Sequence, residues 1–201
     1  MPKLKLTKAE LKAQREALHR YQRFLPTLQL KKEQLQGQVR RVQGELATVH
    51  KKQDKIRSEV SAWISLFTEN VGLEDLVRIR DIDIQPTNIA GVTVDRLKNL
   101  SFESLAPDFA STPPWVDSGL QRIKDLIRFR IQEDLVSREL DILTRELRTA
   151  TQRVNLFEKI KIPACRENIR TIRIALGEEQ TAAIARAKLA KSKGQEWSTG
   201  A

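Results

Sequence analysis

Between Leu4 and Phe67 the apolar side chains fall on two lines, each with a step of seven residues. One line runs Leu4, Leu11, Leu18, Leu25, Val39, Leu46, Val60, Phe67 and is broken by Lys32 and Gln53. The other, three residues ahead, passes the polar Thr7 and Gln14 and then reads Tyr21, Leu28, Leu35, Val42, Val49, Ile56, Trp63. Helical positions three and four apart share a face, so the two lines merge into one narrow seam. A repeat held at 3.5 residues is the mark of a left-handed coiled coil and not of a helix on a globular core. Thr7 with Glu10 three residues on predicts the helix start. At about 1.5 Å per residue, a helix over 4–67 makes a rod of roughly 90 Å. Pro26 lacks an amide proton and crowds the preceding turn. The heptad phase nevertheless passes through it intact, so Pro26 is expected to kink the helix and not to end it.

The pattern changes after Phe67. Residues 68–72 carry the helix end, and 76–85 read as β-rich and alternating, with a phase slip near Arg80-Asp81 that predicts a bulge. Pro86-Thr87-Asn88 is expected to turn the chain into a second strand over 89–94. Such a hairpin needs a surface beneath it, because two strands alone are marginal in water. Residues 99–116, with Pro107, Pro113 and Pro114, read as a connecting loop.

A second seam follows. Its lines are Phe129, Val136, Leu143, Ala150, Phe157, Ala164 and Leu126, Glu133, Leu140, Leu147, Val154, Lys161. At Pro163 the apolar phase moves to Ile162, Ile169 and Leu176, with Cys165 and Ile172 alongside. Past Gly177 the chain is rich in Ala and Lys, good helix formers with little to bury, and 192–201 is expected to fray. The fold class is therefore mainly α: a long antiparallel two-helix coiled coil with a short β-hairpin region inserted. Its parts are residues 4–67, 68–119, 120–191 and a tail at 192–201. The principal seam positions are Leu28, Leu35, Val42, Val49 and Ile56 on the first helix. They are met by Val136, Leu140, Leu143, Leu147, Val154 and Phe157 on the second. Folding back sets Leu28 opposite Phe157 and brings Pro26 within a turn of Pro163, which predicts a bent rod.

Composition sharpens this picture. Of 201 residues, 31% are charged and only 5% aromatic, with a net charge of +10. Residues 1–58 hold 15 basic against 5 acidic side chains, 59–119 hold 4 against 10, and 120–192 hold 16 against 10. A basic rod with an acidic middle implies two kinds of partner surface. Zinc-finger spacing, ribonucleoprotein aromatics and a basic-zipper block are all missing, so the charge does not by itself point to nucleic acid. The single cysteine, Cys165, allows no intrachain disulfide and suits a reducing compartment. No apolar run is long enough to cross a bilayer.

Catalytic chemistry is not written in the chain. It has no phosphate-binding glycine loop and no dinucleotide fingerprint. His19 and His50 lie 31 residues apart on one helix and cannot share a metal. Glu133-Asp134, Glu139 and Asp141, near Arg138 and Arg145, read as salt-bridged helix surface. Cys165 has no histidine to activate it. No catalytic, metal or cofactor site is expected.

Three segments carry a family resemblance. Leu28-Gln29-Leu30-Lys31-Lys32-Glu33-Gln34-Leu35, Asn88-Ile89-Ala90-Gly91-Val92-Thr93-Val94, and Arg153-Val154-Asn155-Leu156-Phe157-Glu158 followed by Ile162-Pro163 resemble, in order, motifs of the D subunits of the V-type and A-type rotary ATPases. The likeness covers about residues 4–176 and departs at Pro26 and at Ala164-Cys165. It implies a central rotor shaft without catalytic groups, cytoplasmic and peripheral to the membrane. The implied partners are the A and B subunits of the catalytic hexamer, the F and C subunits, and the membrane rotor ring, with no nucleic acid and no membrane insertion. On that resemblance Lys8, Lys12, Arg15, Arg173, Arg186 and Lys188 become candidate contacts with the hexamer bore. Ile79, Ile82, Ile84, Ile89, Val92 and Val94 become candidate docking residues of the hairpin, and Pro26 with Pro163 the bend. Two other readings are a stalk protein of a different hexameric ATPase and a coiled-coil arm that binds RNA.

Overall fold

A computed structural model describes residues 4–61, 77–103, 113 and 115–199, with side chains described as far as Ser192. In chain order it holds helix α1 (Lys8–Ser61), strands β1 (Ile79–Ile89) and β2 (Val92–Phe102), helix α2 (Trp115–Asn155), a π-helical turn (Leu156–Lys161) and helix α3 (Ile162–Thr199). The mainly helical class with one antiparallel hairpin between long helices is as expected. The expected end of the first helix at residues 68–72 lies outside the described residues, as do residues 104–112 and 114 of the loop expected over 99–116. Two compact units divide the chain: Met1–Leu30 with Ala150–Ala201, and Lys31–Thr149.

Both units contain an antiparallel pair of helical segments. In the Lys31–Thr149 unit, α1 buries Leu35, Val39, Val42, Val49 and Ile56, and α2 buries Val136 and Leu143. Leu140 and Leu147 are half-buried. Gln53 and Glu133, one polar interruption from each seam, meet: Gln53 Nε2 donates to Glu133 Oε2 at 3.2 Å. A polar pair inside an apolar seam costs stability but fixes register, because any slip leaves both groups without a partner. Farther along, Arg122 reaches Glu59 at 3.2 Å.

The Met1–Leu30/Ala150–Ala201 unit begins at Thr7, whose hydroxyl accepts from the Glu10 amide at 3.3 Å. Glu10 does not complete the capping box; its Oε1 accepts from Gln14 at 2.8 Å instead. α1 then runs through Pro26 without ending, and the Thr27 hydroxyl donates to the Phe24 carbonyl at 2.8 Å in the same turn. Tyr21 packs on Phe157 with ring centroids 5.0 Å apart, and Asn168 donates to Gln14 at 3.4 Å. Phe157 therefore faces Tyr21, one heptad from the expected Leu28. These contacts set Pro163 level with about Ala17, so the two prolines stand about 13 Å apart along the axis, more than the expected single turn.

The phase change at Pro163 has a structural cause. Buried positions run Leu143, Ala150, Val154 and then Ile162, Cys165, Ile169, Ile172, which is one residue later than a continuous heptad. The π-helical turn inserts that residue: the Ile162 amide donates to the Phe157 carbonyl, five residues back. A wider turn also suits the segment before a proline, where the ring crowds a carbonyl and no amide is offered. α3 continues to Thr199, beyond the fraying expected from Ser192. Each further residue of a good helix former adds a hydrogen bond to a helix already nucleated.

The hairpin is longer than the sequence pattern predicts, and its turn lies elsewhere. Pro86-Thr87-Asn88 is strand, paired with Asp95, Val94 and Thr93, and the reversal falls at Ala90-Gly91. Both turn residues have positive φ, 52° and 78°, as a type I′ hairpin turn requires. Asn88 Oδ1 accepts from the Gly91 amide at 3.0 Å. Pro86 is tolerated because a two-stranded sheet leaves one side of each strand unpaired. Residues 99–102, expected as loop, complete β2. Register breaks fall at Ile79/Asp81, the site of the expected bulge, and at Asp83/Ile84.

Candidate functional site

Within the Lys31–Thr149 unit the hairpin lies along the helices, with β2 inward. Ile89, Val92, Val94 and Leu100 are buried, whereas Ile79, Ile82 and Ile84 of β1 are 43%, 39% and 43% exposed. Thus three of the candidate docking residues are available to a partner and three serve the chain's own core. At the turn, Lys31 Nζ lies 3.9 Å from the point a Cβ on Gly91 would occupy. At the far end, Lys124 sits 6.0 Å from the centroid of the Phe102 ring.

Arg96 ties the hairpin to both helices. Its Nε and Nη2 donate to the two carboxylate oxygens of Glu139 on α2 at 3.1 and 2.8 Å. Nη2 also lies 3.6 Å from Glu45 on α1. Glu139 is the one buried charged residue among those described, 2% exposed. The hydrogen bonds it donates to Glu139 hold the guanidinium pKa above its ordinary value against the cost of burial. The sequence reads Glu139 as exposed helix surface with Arg138 and Arg145; its partner comes instead from a strand 43 residues earlier. An apolar face in which Leu135, Glu139 and Leu143 recur at helical spacing was the available signal. A cleft of about 330 Å³ opens beside this bridge, lined by β2 and by Arg128, Gln132 and Leu135.

Glu133 and Cys165 belong to the helix packing. Burial works to raise the Glu133 carboxyl, but hydrogen bonds from Gln53 and His50 and the charge of Arg130 bring it below its ordinary value. His50 Nε2 lies 3.1 Å from Glu133. Cys165 is buried in the seam, and desolvation pushes its thiol up, away from the reactive thiolate. No cluster of three metal-ligating side chains occurs among the described residues, and no described helix is long and apolar enough to cross a membrane. The candidate bore residues Lys8, Lys12, Arg15, Arg173, Arg186 and Lys188 are all exposed.

These features define a coiled-coil stalk protein with a clamped hairpin, in which the usable surfaces are helix faces and a strand and no described pocket assembles catalytic groups. The sequence profile of the ATP synthase D-subunit family matches residues 10–192. The D subunit of the V-type ATP synthase of Borreliella burgdorferi is 40% identical over 96% of this chain and 95% of its own. Those of Chlamydia muridarum and Chlamydia pneumoniae are 33% and 31% identical, over 96% and 94% of this chain and 97% and 92% of theirs. The chain belongs to the ATP synthase D-subunit family.

Proposed function

We propose that this chain is the central rotor shaft of a V-type or A-type ATPase. It transmits torque between the A/B catalytic hexamer and the membrane ion-translocating ring, and so couples ATP synthesis or hydrolysis to ion transport. The observation that carries this reading is the antiparallel two-helix seam, present in each unit, in a chain whose family match spans 10–192. A stiff shaft turning in a ring meets each subunit with a different face and biases its open and closed states through differential contact energy. The chain itself contributes no nucleophile, base or phosphate contact.

In this reading the helices of the Met1–Leu30/Ala150–Ala201 unit enter the bore, where Lys8, Lys12, Arg15, Arg173, Arg186 and Lys188 pass acidic loops. Exposed ion contacts of this kind contribute about 0–1 kcal/mol each and do not lock a rotor. The F subunit binds along the shaft. Ile79, Ile82 and Ile84 meet the C subunit or the ring, and Pro26 and Pro163 curve the shaft at two separate levels. The protein is then cytoplasmic, peripheral to the membrane and non-catalytic. Affinity purification from the native cell tests this directly. Recovery with A, B and F subunits is expected, and recovery with nucleic acid alone overturns the reading in favour of an RNA-binding arm.

A further inference from the structure

The net charge is confined to one unit. Met1–Leu30 with Ala150–Ala201 holds 17 Lys and Arg against 7 Asp and Glu, whereas Lys31–Thr149 holds 19 against 19. Nor is the charge of the first unit spread evenly around the helices. On α1, Lys8, Lys12, Arg15, His19 and Arg23 recur every three or four residues and fall within an arc of about 80°. On α3, Arg166, Arg170, Arg173, Lys188 and Lys191 fall within about 60°. All ten are exposed. The ion pairs that the described residues offer them are two weak ones, Lys12–Glu16 and Arg170–Glu167, each at 4.0 Å and each on exposed surface.

The two rows stand on the same side of the helix pair. The α1 row lies about 130° from its buried seam and the α3 row about 100° from its own, both in the direction of increasing residue number. Because the helices are antiparallel, equal senses of rotation from facing seams point to one side. The other side carries Ala13, Ala17 and Phe24 from α1 and Ala164, Thr171 and Ala175 from α3, and its cations Arg20, Arg153, Lys161 and Arg186 are set against Glu10, Glu178 and Glu179. The unit is therefore strongly basic on one side and carries little net charge on the other.

We infer that this basic side is the face that engages an acidic protein surface, and that the charge asymmetry gives the shaft a preferred angular setting in the ring. The inference rests on the shaft reading above and deepens it. Within Lys8–Arg23, Arg166–Arg173 and Lys188–Lys191 the basic side chains follow one another about 4.5–6 Å apart along the axis, which suits carboxylates presented at successive levels of a bore wall. As the shaft turns, one ring subunit at a time meets the basic side while the others meet the side of little net charge. Charge fields of this kind act chiefly on association rate and angular preference.

Two charge-matched variants isolate the face from the net charge. Arg15→Glu/Arg173→Glu reverses one cation in each row, and Arg20→Glu/Arg153→Glu reverses two exposed cations on the opposite side. Binding of the full chain to the purified A/B hexamer is followed at low and high salt, after thermal melts establish that both variants fold as the parent does. The row variant is expected to associate about tenfold more slowly at low salt, the opposite-side variant within about twofold of the parent, and the gap to close at high salt. Equal losses in both variants reduce the effect to net charge and overturn the inference, as does an unchanged rate in the row variant. Duplex DNA bound more tightly than the hexamer, through the same rows, assigns the face to nucleic acid and overturns it too. Failure of the unmodified chain to bind the hexamer is a separate outcome that removes the shaft reading itself.

Discussion

At the scale of single residues, the most consequential contact is Arg96 with Glu139. A buried carboxylate without its cation is costly, so Arg96→Ala is expected to destabilise the protein by about 3 kcal/mol. The double change Arg96→Met/Glu139→Leu should recover most of that loss, because it removes both charges together; urea unfolding of the three proteins compares them. Glu133 makes the pH dependence. Its folded-state value is lowered, so its contribution is present above the ordinary value of 4.5 and disappears as pH falls through the folded value. Melting temperature should therefore drop below about pH 4.5, and less steeply in Glu133→Gln; since Glu133 is partly exposed, the difference at pH 7 should stay under about 1 kcal/mol. Gly91 is a matter of backbone and not of room, the nearest atom to an added Cβ being 3.9 Å away. At φ +78° Gly91→Ala should cost about 1 kcal/mol in thermal melts. Of these contacts, the Gln53–Glu133 pair leaves a trace in the sequence, as one polar break in each of two mostly apolar lines, though other breaks such as Lys32 and Lys161 leave its pairing open. Arg96 and Glu139 depend on how a strand lies across a helix pair, which no local pattern encodes.

At the scale of elements, periodicity carries most of the fold. Seam positions such as Leu35, Val42, Val49, Leu143 and Val154 are buried as the heptads require, and the one-residue phase step near Pro163 corresponds to a π-helical turn. The hairpin is less legible. Pro86 reads as turn chemistry, yet an outer strand can hold a proline, and the positive-φ pair Ala90-Gly91 decides where the chain reverses. The π-helical turn makes a prediction that distinguishes it from ordinary helix. Deleting Ile160, 58% exposed, removes the extra residue and lets the seam run on as α-helix, so the melt should stay within about 1 kcal/mol of the parent. Deleting Arg148 instead rotates every later seam residue by about 100° relative to its partner. That variant should lose cooperative unfolding by circular dichroism, and equal melts for the two deletions would contradict the phase account.

At the scale of the whole molecule, the chain combines one electrically neutral unit, in which a hairpin is clamped to two helices, with one strongly basic helical unit. That division fits the proposed shaft, with a docking part and a bore part. A shaft must turn. A cysteine introduced at exposed Ile82 offers a handle on the hairpin, while the native Cys165 is buried and does not compete for label. With the A/B hexamer fixed to a surface and a bead on that cysteine, ATP should drive stepwise rotation in one direction. ATP hydrolysis by the intact complex with an attached but stationary bead would contradict the account.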